Sequence, residues 1–377
     1  MHQHQKMKYI ILIKAFIFSI LFVQSVSAQD CTQALLLQTK GELKADHPYA
    51  GEALKAADLP RHKNVLAVIS KMIKSKYTPM GVEANYHENY GNTSQYWQPN
   101  NYSYSIIPLN YYCEGNTIKI VGEVPTHFSI NANNFGAEIY DTAQGDRLML
   151  EGFNVIPDMP IAKDGFWYFN EVDANLGNSV IGKSSSWLIT CEGKLPFAYV
   201  TKKEFLEKRR KALSVQMLQS AAGFKEVLNN NEIGKKYKEA ALKNDPEKLK
   251  KYMKMDYLPI KERYEKLIAE NEKEFKPAFD KIETQLKMPA DELNKQAIVK
   301  SDPNDHLSYL FTDDNDPFGK ILIKPNPGYF NKKLPKSSPQ FFWIYLIGNH
   351  KEPIAAKFMT DIINAVDFTL LKSMLGR

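Results

Sequence analysis

Residues 340–347 read "QFFWIYLI". The seven residues after Gln340 are apolar and rich in aromatic and β-branched side chains, and the run is too short for an ordinary helix. It shows no period-2 alternation, so both faces of the strand it predicts should be covered. A strand of that kind sits in the middle of a sheet and needs a neighbour on each edge. The tail around it offers only "KILIK" at 320–324. Its partners should therefore lie before residue 200, and the chain between should be an insertion. The fold class expected is α+β: a mixed or antiparallel sheet with a long helical insertion or helical hairpin.

Moving outward, residues 102–200 have strand texture. "YSYSII" alternates, "NTIKIVGEV" and "GFWYFNEV" are strand-like, and Gly, Asn, Asp and Pro punctuate them at short intervals. At "PFAYVTKKEFLEKRRKAL" the texture changes. Thr201 and Glu204 form a capping box flanked by Val200 and Phe205, which starts a helix. From there to about residue 300 apolar residues recur at helical spacing (Leu206, Leu213, Met217, Phe224, then Tyr264, Phe275, Phe279, Ile282). "NNNEIG" (229–234) and "NDPEK" (244–248) are expected breaks, and Pro277 an expected kink. Helices are also expected over 32–43, 63–76 and 355–375. The organisation expected is a signal peptide at 1–28, an α+β part with a β-rich core at 29–200, a charged helical segment at 201–300, and strands plus a helix at 301–377 that complete the first sheet.

The amino terminus sets the expected compartment. Lys6 and Lys8 precede an apolar run at 15–23, and "SVSAQD" offers small residues at Val26 and Ala28, the order of a cleaved secretory signal. The run is too short to span a bilayer, so no transmembrane segment is expected in the mature chain. Asp30 before Cys31 argues against lipidation. The address is periplasmic or extracellular. There Cys31, Cys113 and Cys191 permit one disulfide, and the turns "CEGN" and "CEGK" that follow two of them favour Cys113–Cys191. Residues 29–200 carry 13 Lys/Arg against 18 Asp/Glu, and residues from 201 onward carry 33 against 25. That dipole suits an anionic envelope polymer but is too weak for nucleic acid.

Three segments carry a resemblance: "PFAYVTKKEFLEKRRKAL", "KPNPGYFNKKLPKSSPQFFWIY" and "DFTLLKSMLG" look like parts of uncharacterised exported bacterial proteins of unknown function. The likeness implies export and supports the boundaries above. It brings no active site.

Candidate chemistry is sparse. "GNSVIGKS" (177–184) matches the phosphate-loop pattern letter for letter, but "SSSWLIT" after it is β-rich and supplies no helix to face a phosphate. The expectation is a Gly/Ser hairpin, no nucleotide and no cofactor. "TDDNDPFGK" resembles a calcium loop through Asp313, Asp314 and Asp316, yet Phe318 and Pro325 fall where an EF-hand needs ligands. The scattered histidines lack metal spacing, so no metal is expected. No catalytic residues can be named, and whether the protein is an enzyme stays open. The stretch 85–112 holds seven tyrosines, Trp97 and six asparagines. Within it Tyr96, Trp97 and Tyr102 are the candidate stacking platform for a sugar ring or peptide. The function expected is an exported, non-enzymatic protein that binds a glycan, a peptide or a partner protein. The alternative is a hydrolase acting on cell-envelope or imported material.

Overall fold

The computed structural model describes residues 30–46, 49–50, 58–91, 98–121, 125–134, 153–156, 158–176, 179–316 and 318–377. The segment quoted first is β15 (Phe341–Gly348), the eighth and last strand to join the main path of a ten-stranded sheet. Along that path the order is β1 (Leu43–Ala45), β3 (Val82–Tyr90), β4 (Tyr102–Glu114), β6 (His127–Ala132), β15, β10 (Ser179–Thr190), β9 (Phe166–Leu176) and β8 (Ile161–Lys163). Two short strands, β2 (Tyr49–Ala50) and β5 (Thr117–Ile120), pair with β3 and β4. Among the described strands only β1 and β2 run parallel to their neighbour. β15 is antiparallel to β6 on one side and to β10 on the other.

Its missing alternation has a direct cause. Phe342, Ile344 and Leu346 enter one buried cluster, while Phe341, Trp343 and Tyr345 enter another across the sheet. The first cluster is closed by helices. These are α1 (Gln33–Gln38), α2 (Leu59–Lys76), α7 (Pro353–Ala365) and α8 (Phe368–Met374), which contribute Leu36, Leu66, Ile69, Phe358, Ile362 and Leu371. The second is closed by another sheet, built from β7 (Asn154–Ile156), β11 (Phe197–Tyr199), β12 (Ile298–Asp302), β13 (Asp305–Phe311) and β14 (Lys320–Pro325). In that sheet Ile321 and Ile323 face the large sheet, while Leu322 faces the opposite way into a third cluster. The result is four layers: helices, ten strands, five strands, helices. The tail thus divides, because β14 finds partners in β7, β11 and β12 and only β15 enters the large sheet. Buried polar groups fix the register of β15. Asn133 adopts a left-handed φ of 58° where β6 ends, and its Oδ1 accepts from the Gln340 amide at 2.7 Å. Its Nδ2 donates to the carbonyls of Asn100 and Ser338.

The fourth layer is the root of the insertion. α3 (Lys202–Ala241) starts where sequence placed it, with the Thr201 hydroxyl accepting from the Glu204 amide. The Glu204 carboxylate pairs with Lys324 at 2.6 Å instead of reaching back to close the box. The chain returns through α4 (Pro246–Tyr252), a π-helical turn (Met253–Tyr257), α5 (Leu258–Gln285) and α6 (Ala290–Leu293). Phe205, Leu206 and Leu213 of α3 and Phe275, Ala278 and Ile282 of α5 cover the small sheet. Beyond this root α3 and α5 continue as an antiparallel pair, and between Leu218 and Glu270 the one buried side chain is Tyr257. Two local expectations need correction. "NNNEIG" does not break α3, because Asn231 donates to the Tyr257 carbonyl at 3.1 Å and so has a use in helix-to-helix contact. The first helix stops at Gln38, and residues 43–45 pair with β3 instead.

Candidate functional site

Tyr102 is not part of an exposed platform. Alternation along β4 turns Tyr102, Tyr104 and Ile106 toward α2, and Tyr102 is only 2% exposed. Its hydroxyl donates to the Ser337 carbonyl and its ring lies 4.3 Å from that of His62. Tyr96 and Trp97, the other two rings of the expected platform, lie outside the described residues, as does the expected signal peptide at 1–28.

The cysteine pairing also changes. The disulfide joins Cys31 to Cys113, and Cys191 is a free, half-buried thiol whose pKa burial pushes up. β4, which carries Cys113, is separated from β10 by β6 and β15. At about 4.8 Å per strand that gap far exceeds the roughly 7 Å that a disulfide can bridge between α-carbons. Packing of Leu36 from α1 into the core that β4 also lines brings the segment that carries Cys31 to Cys113 instead.

Lys183 lies within β10, opposite Gly348 of β15, and its ammonium contacts the Asp173 carboxylate at 2.7 Å. Gly182 is explained by the sheet: a β-carbon there would stand 2.2 Å from the Gly348 carbonyl oxygen. From Ser179 onward the phosphate-loop letters thus fall on a strand whose Gly182 permits close approach of its neighbour.

The acidic run lines an open cleft of about 220 Å³ with Asp158, Met159 and Asn170. Asp316 accepts from the Lys300 ammonium at 2.6 Å, from the Thr312 hydroxyl at 2.7 Å and from the Phe318 amide. The hydrogen bond from Lys300, more than any other contact, holds its carboxyl down at about 2. The Asp313 carboxylate accepts from the Asn315 amide. Lys300 therefore offsets one of the three carboxylates of this loop. Among the described residues no group of three His, Cys, Asp or Glu side chains converges as a cation site. Asp158 differs: burial raises its pKa, and its Oδ1 is enclosed without a partner.

A second opening lies where β9, β11 and the loops after β10 and β14 meet. Trp167, Gly193, Lys194, Leu195, Phe197, Asn326, Gly328 and Tyr329 form a groove of about 380 Å³. Its walls are set by identifiable contacts. After β10 the chain makes a tight turn at Cys191–Gly193, with Glu192 and Gly193 at φ of 54° and 69°. The Cys191 amide donates to the Tyr329 hydroxyl at 3.0 Å, which donates in turn to the Gln340 carbonyl at 2.6 Å. This relay locks the Tyr329 ring as a wall, and burial pushes its pKa up. Asn326 is anchored by its amide on the Pro196 carbonyl, while its Oδ1 accepts from Gly328. Trp167, half-buried, shares its sheet face with Phe169, which stacks on Trp343 at 4.9 Å. The floor is thus continuous with the core, and the open side offers an indole, an amide and the Lys194 ammonium. Lys194 is exposed and its pKa is raised by a hydrogen bond to Glu192 at 2.8 Å. Sequence reasoning read "GFWYFNEV" as a strand and did not single out Trp167; its four adjacent aromatics are twice what one buried face can hold, and that was the available signal.

Together these features define an α+β protein with two stacked sheets, helices on both outer faces and a long helical hairpin. Among known proteins no family model, no curated protein and no solved structure matches the chain.

Proposed function

We propose that this is an exported binding protein that takes a glycan strand in the Trp167–Tyr329 groove. The observation that carries the proposal is the combination of a half-buried indole, a locked tyrosine wall and amide and ammonium groups in one open groove. Indole and phenol faces pack on the C–H face of a sugar ring, and the polar neighbours meet its hydroxyls. An open groove suits a polymer, which must enter and leave sideways. Export is supported by the signal-like amino terminus and by the Cys31–Cys113 bond, which persists in oxidising compartments. Among the described residues no helix is long and apolar enough to cross a membrane.

Calorimetric titration with soluble envelope glycans tests the assignment. Trp167→Ala should weaken binding by about 1–3 kcal/mol, as for an interface anchor, and leave the melting temperature within a few degrees. Binding of an extended peptide in place of every glycan, with the same dependence on Trp167, would move the ligand class. Glycan binding indifferent to Trp167 would remove the groove.

One observation favours the hydrolase alternative: Asp158 keeps a raised pKa in a cleft, the condition of a general acid. Glycan or peptide turnover abolished by Asp158→Asn would establish it, and turnover unaffected by that change would dismiss the cleft.

A further inference from the structure

The hairpin formed by α3 and α5 has more length than the body uses. From Met217 to Ala241, α3 runs about 36 Å past its last root contact at 1.5 Å per residue. Over that distance the pair holds together through few groups. The Phe224 and Tyr264 rings meet edge-on at 6.0 Å, and Tyr257 is clamped by Glu232 and by Lys235 at 5.0 Å over its ring. A pair of helices that needed only to fold would carry polar residues on its outer faces. This one does not. Tyr237 is 74% and Met255 63% exposed, and Ile233, Leu258 and Ile260 are exposed beside them.

The same end of the arm is cationic. Between Ile233 and Leu258 eight lysines stand against four acidic residues. Lys235 pairs with Glu232 and Glu239, and Lys248 with Asp245, while Lys236, Lys243, Lys250, Lys251 and Lys254 make no ion pair among the described residues. Lys251, Lys254, Met255 and Leu258 follow one another at i, i+3, i+4 and i+7, all exposed. The π-helical turn through these residues tucks Tyr257 inward and leaves Met255 outward.

We propose that the tip of this arm docks on an anionic lipid surface. Three properties of the tip favour that partner. It is the far end of a hairpin, where lysines and apolar side chains are exposed side by side. Its charges are lysines, point cations suited to a diffuse negative surface more than to bidentate recognition. Flexible apolar side chains lie between them, and these gain by entering the boundary of headgroups and acyl chains. The arm then holds the body, and its groove, some tens of ångströms from the bilayer.

Co-sedimentation of the full chain with vesicles tests this. Wild-type protein should bind vesicles of phosphatidylcholine with phosphatidylglycerol and should not bind phosphatidylcholine alone. Raising the salt to about 0.5 M should weaken binding at least tenfold, because surface attraction is screened. Met255→Asp with Leu258→Asp, and separately Lys251→Glu with Lys254→Glu, should each reduce binding at least tenfold with the helical circular dichroism unchanged. Absence of binding to anionic vesicles, or binding that both double variants retain, would overturn the proposal. So would tighter binding to soluble polyphosphate that the Met255/Leu258 variant keeps, which would assign the tip to an anionic polymer. Trp167→Ala should leave vesicle binding unchanged, so the groove and the tip stand or fall separately.

Discussion

Trp343 and Tyr257 are both buried aromatic residues, and their surroundings have little in common. Trp343 stands at the centre of the body, fully buried between two sheets, stacked on Phe169 and sharing its cluster with Ile156, Leu188 and Ile321 from separate strands. Tyr257 stands in the arm, and what encloses it comes from the neighbouring helix: the Glu232 carboxylate, Asn231 at its own carbonyl, and the Lys235 chain over its ring. The body is held by non-local apolar contact that strands far apart in sequence make possible. The arm is held by local hydrogen bonds and a narrow seam. Damage at Trp343 should therefore be global and damage at Tyr257 confined.

The largest effect should follow Trp343→Ala, which opens a cavity between the sheets and should cost about 3–5 kcal/mol in denaturant unfolding. Trp343→Phe should cost less and keep a cooperative transition. If the alanine variant unfolded at wild-type denaturant, the two-sheet core would not be the centre of stability. Next, loss of the Cys31–Cys113 bond should cost about 2–4 kcal/mol, since it closes a loop of 82 residues. A reductant should lower the melting temperature of wild type and leave a Cys31→Ala/Cys113→Ala variant unmoved. Cys191→Ser should respond to reductant as wild type does, and a reductant-insensitive wild type would contradict the pairing.

A smaller effect concerns pH. His62 is fully buried with both ring nitrogens unpartnered, and desolvation lowers its pKa below 6.5 against the weaker opposing pull of Asp58. Above pH 6.5 neither state binds the proton and His62 contributes no slope. As pH falls below 6.5 the unfolded chain takes up a proton that the folded chain resists, so stability falls until the folded pKa is reached. His62→Phe should flatten that part of the profile, and an unchanged slope would mean His62 does not govern it. Smaller still, Tyr257→Phe should reduce helical signal on warming without moving the near-ultraviolet transition of the body. Lys183→Ala, which loses an exposed pair with Asp173, should move neither stability nor nucleotide affinity measurably.

What the sequence disclosed divides along the same line. "FFWIYLI" disclosed a two-sided strand because burial on both faces erases alternation within seven residues. The start of α3 was legible in Thr201 and Glu204, a signal contained in one turn. What needed distant partners was not legible. The second sheet depends on β14 meeting β7 across more than 150 residues, and no local pattern announces it. The matching turns favour Cys113–Cys191 until strand order separates Cys191 from Cys113. Tyr102 resembles a surface tyrosine until α2 is laid over β4. The groove suffers most, since Trp167, Lys194 and Asn326 become neighbours only when three chain segments meet at one sheet end. "NNNEIG" failed for the converse reason: three asparagines read as a turn by propensity, while Asn231 is spent on the facing helix.

The most direct test of the division into body and arm uses the point where they join. The Asn271 amide donates to the Met217 carbonyl at 3.0 Å, so the two helices are within one side chain's reach there. Residues 218–270 can therefore be replaced by a short polar turn of about four residues, a usual length between antiparallel helices. The shortened chain should keep the near-ultraviolet spectrum and cooperative melting of the full protein, with its melting temperature within about 5 °C. A shortened chain that fails to fold, or that melts far below the full protein, would show that the arm holds the body together and contradict the account.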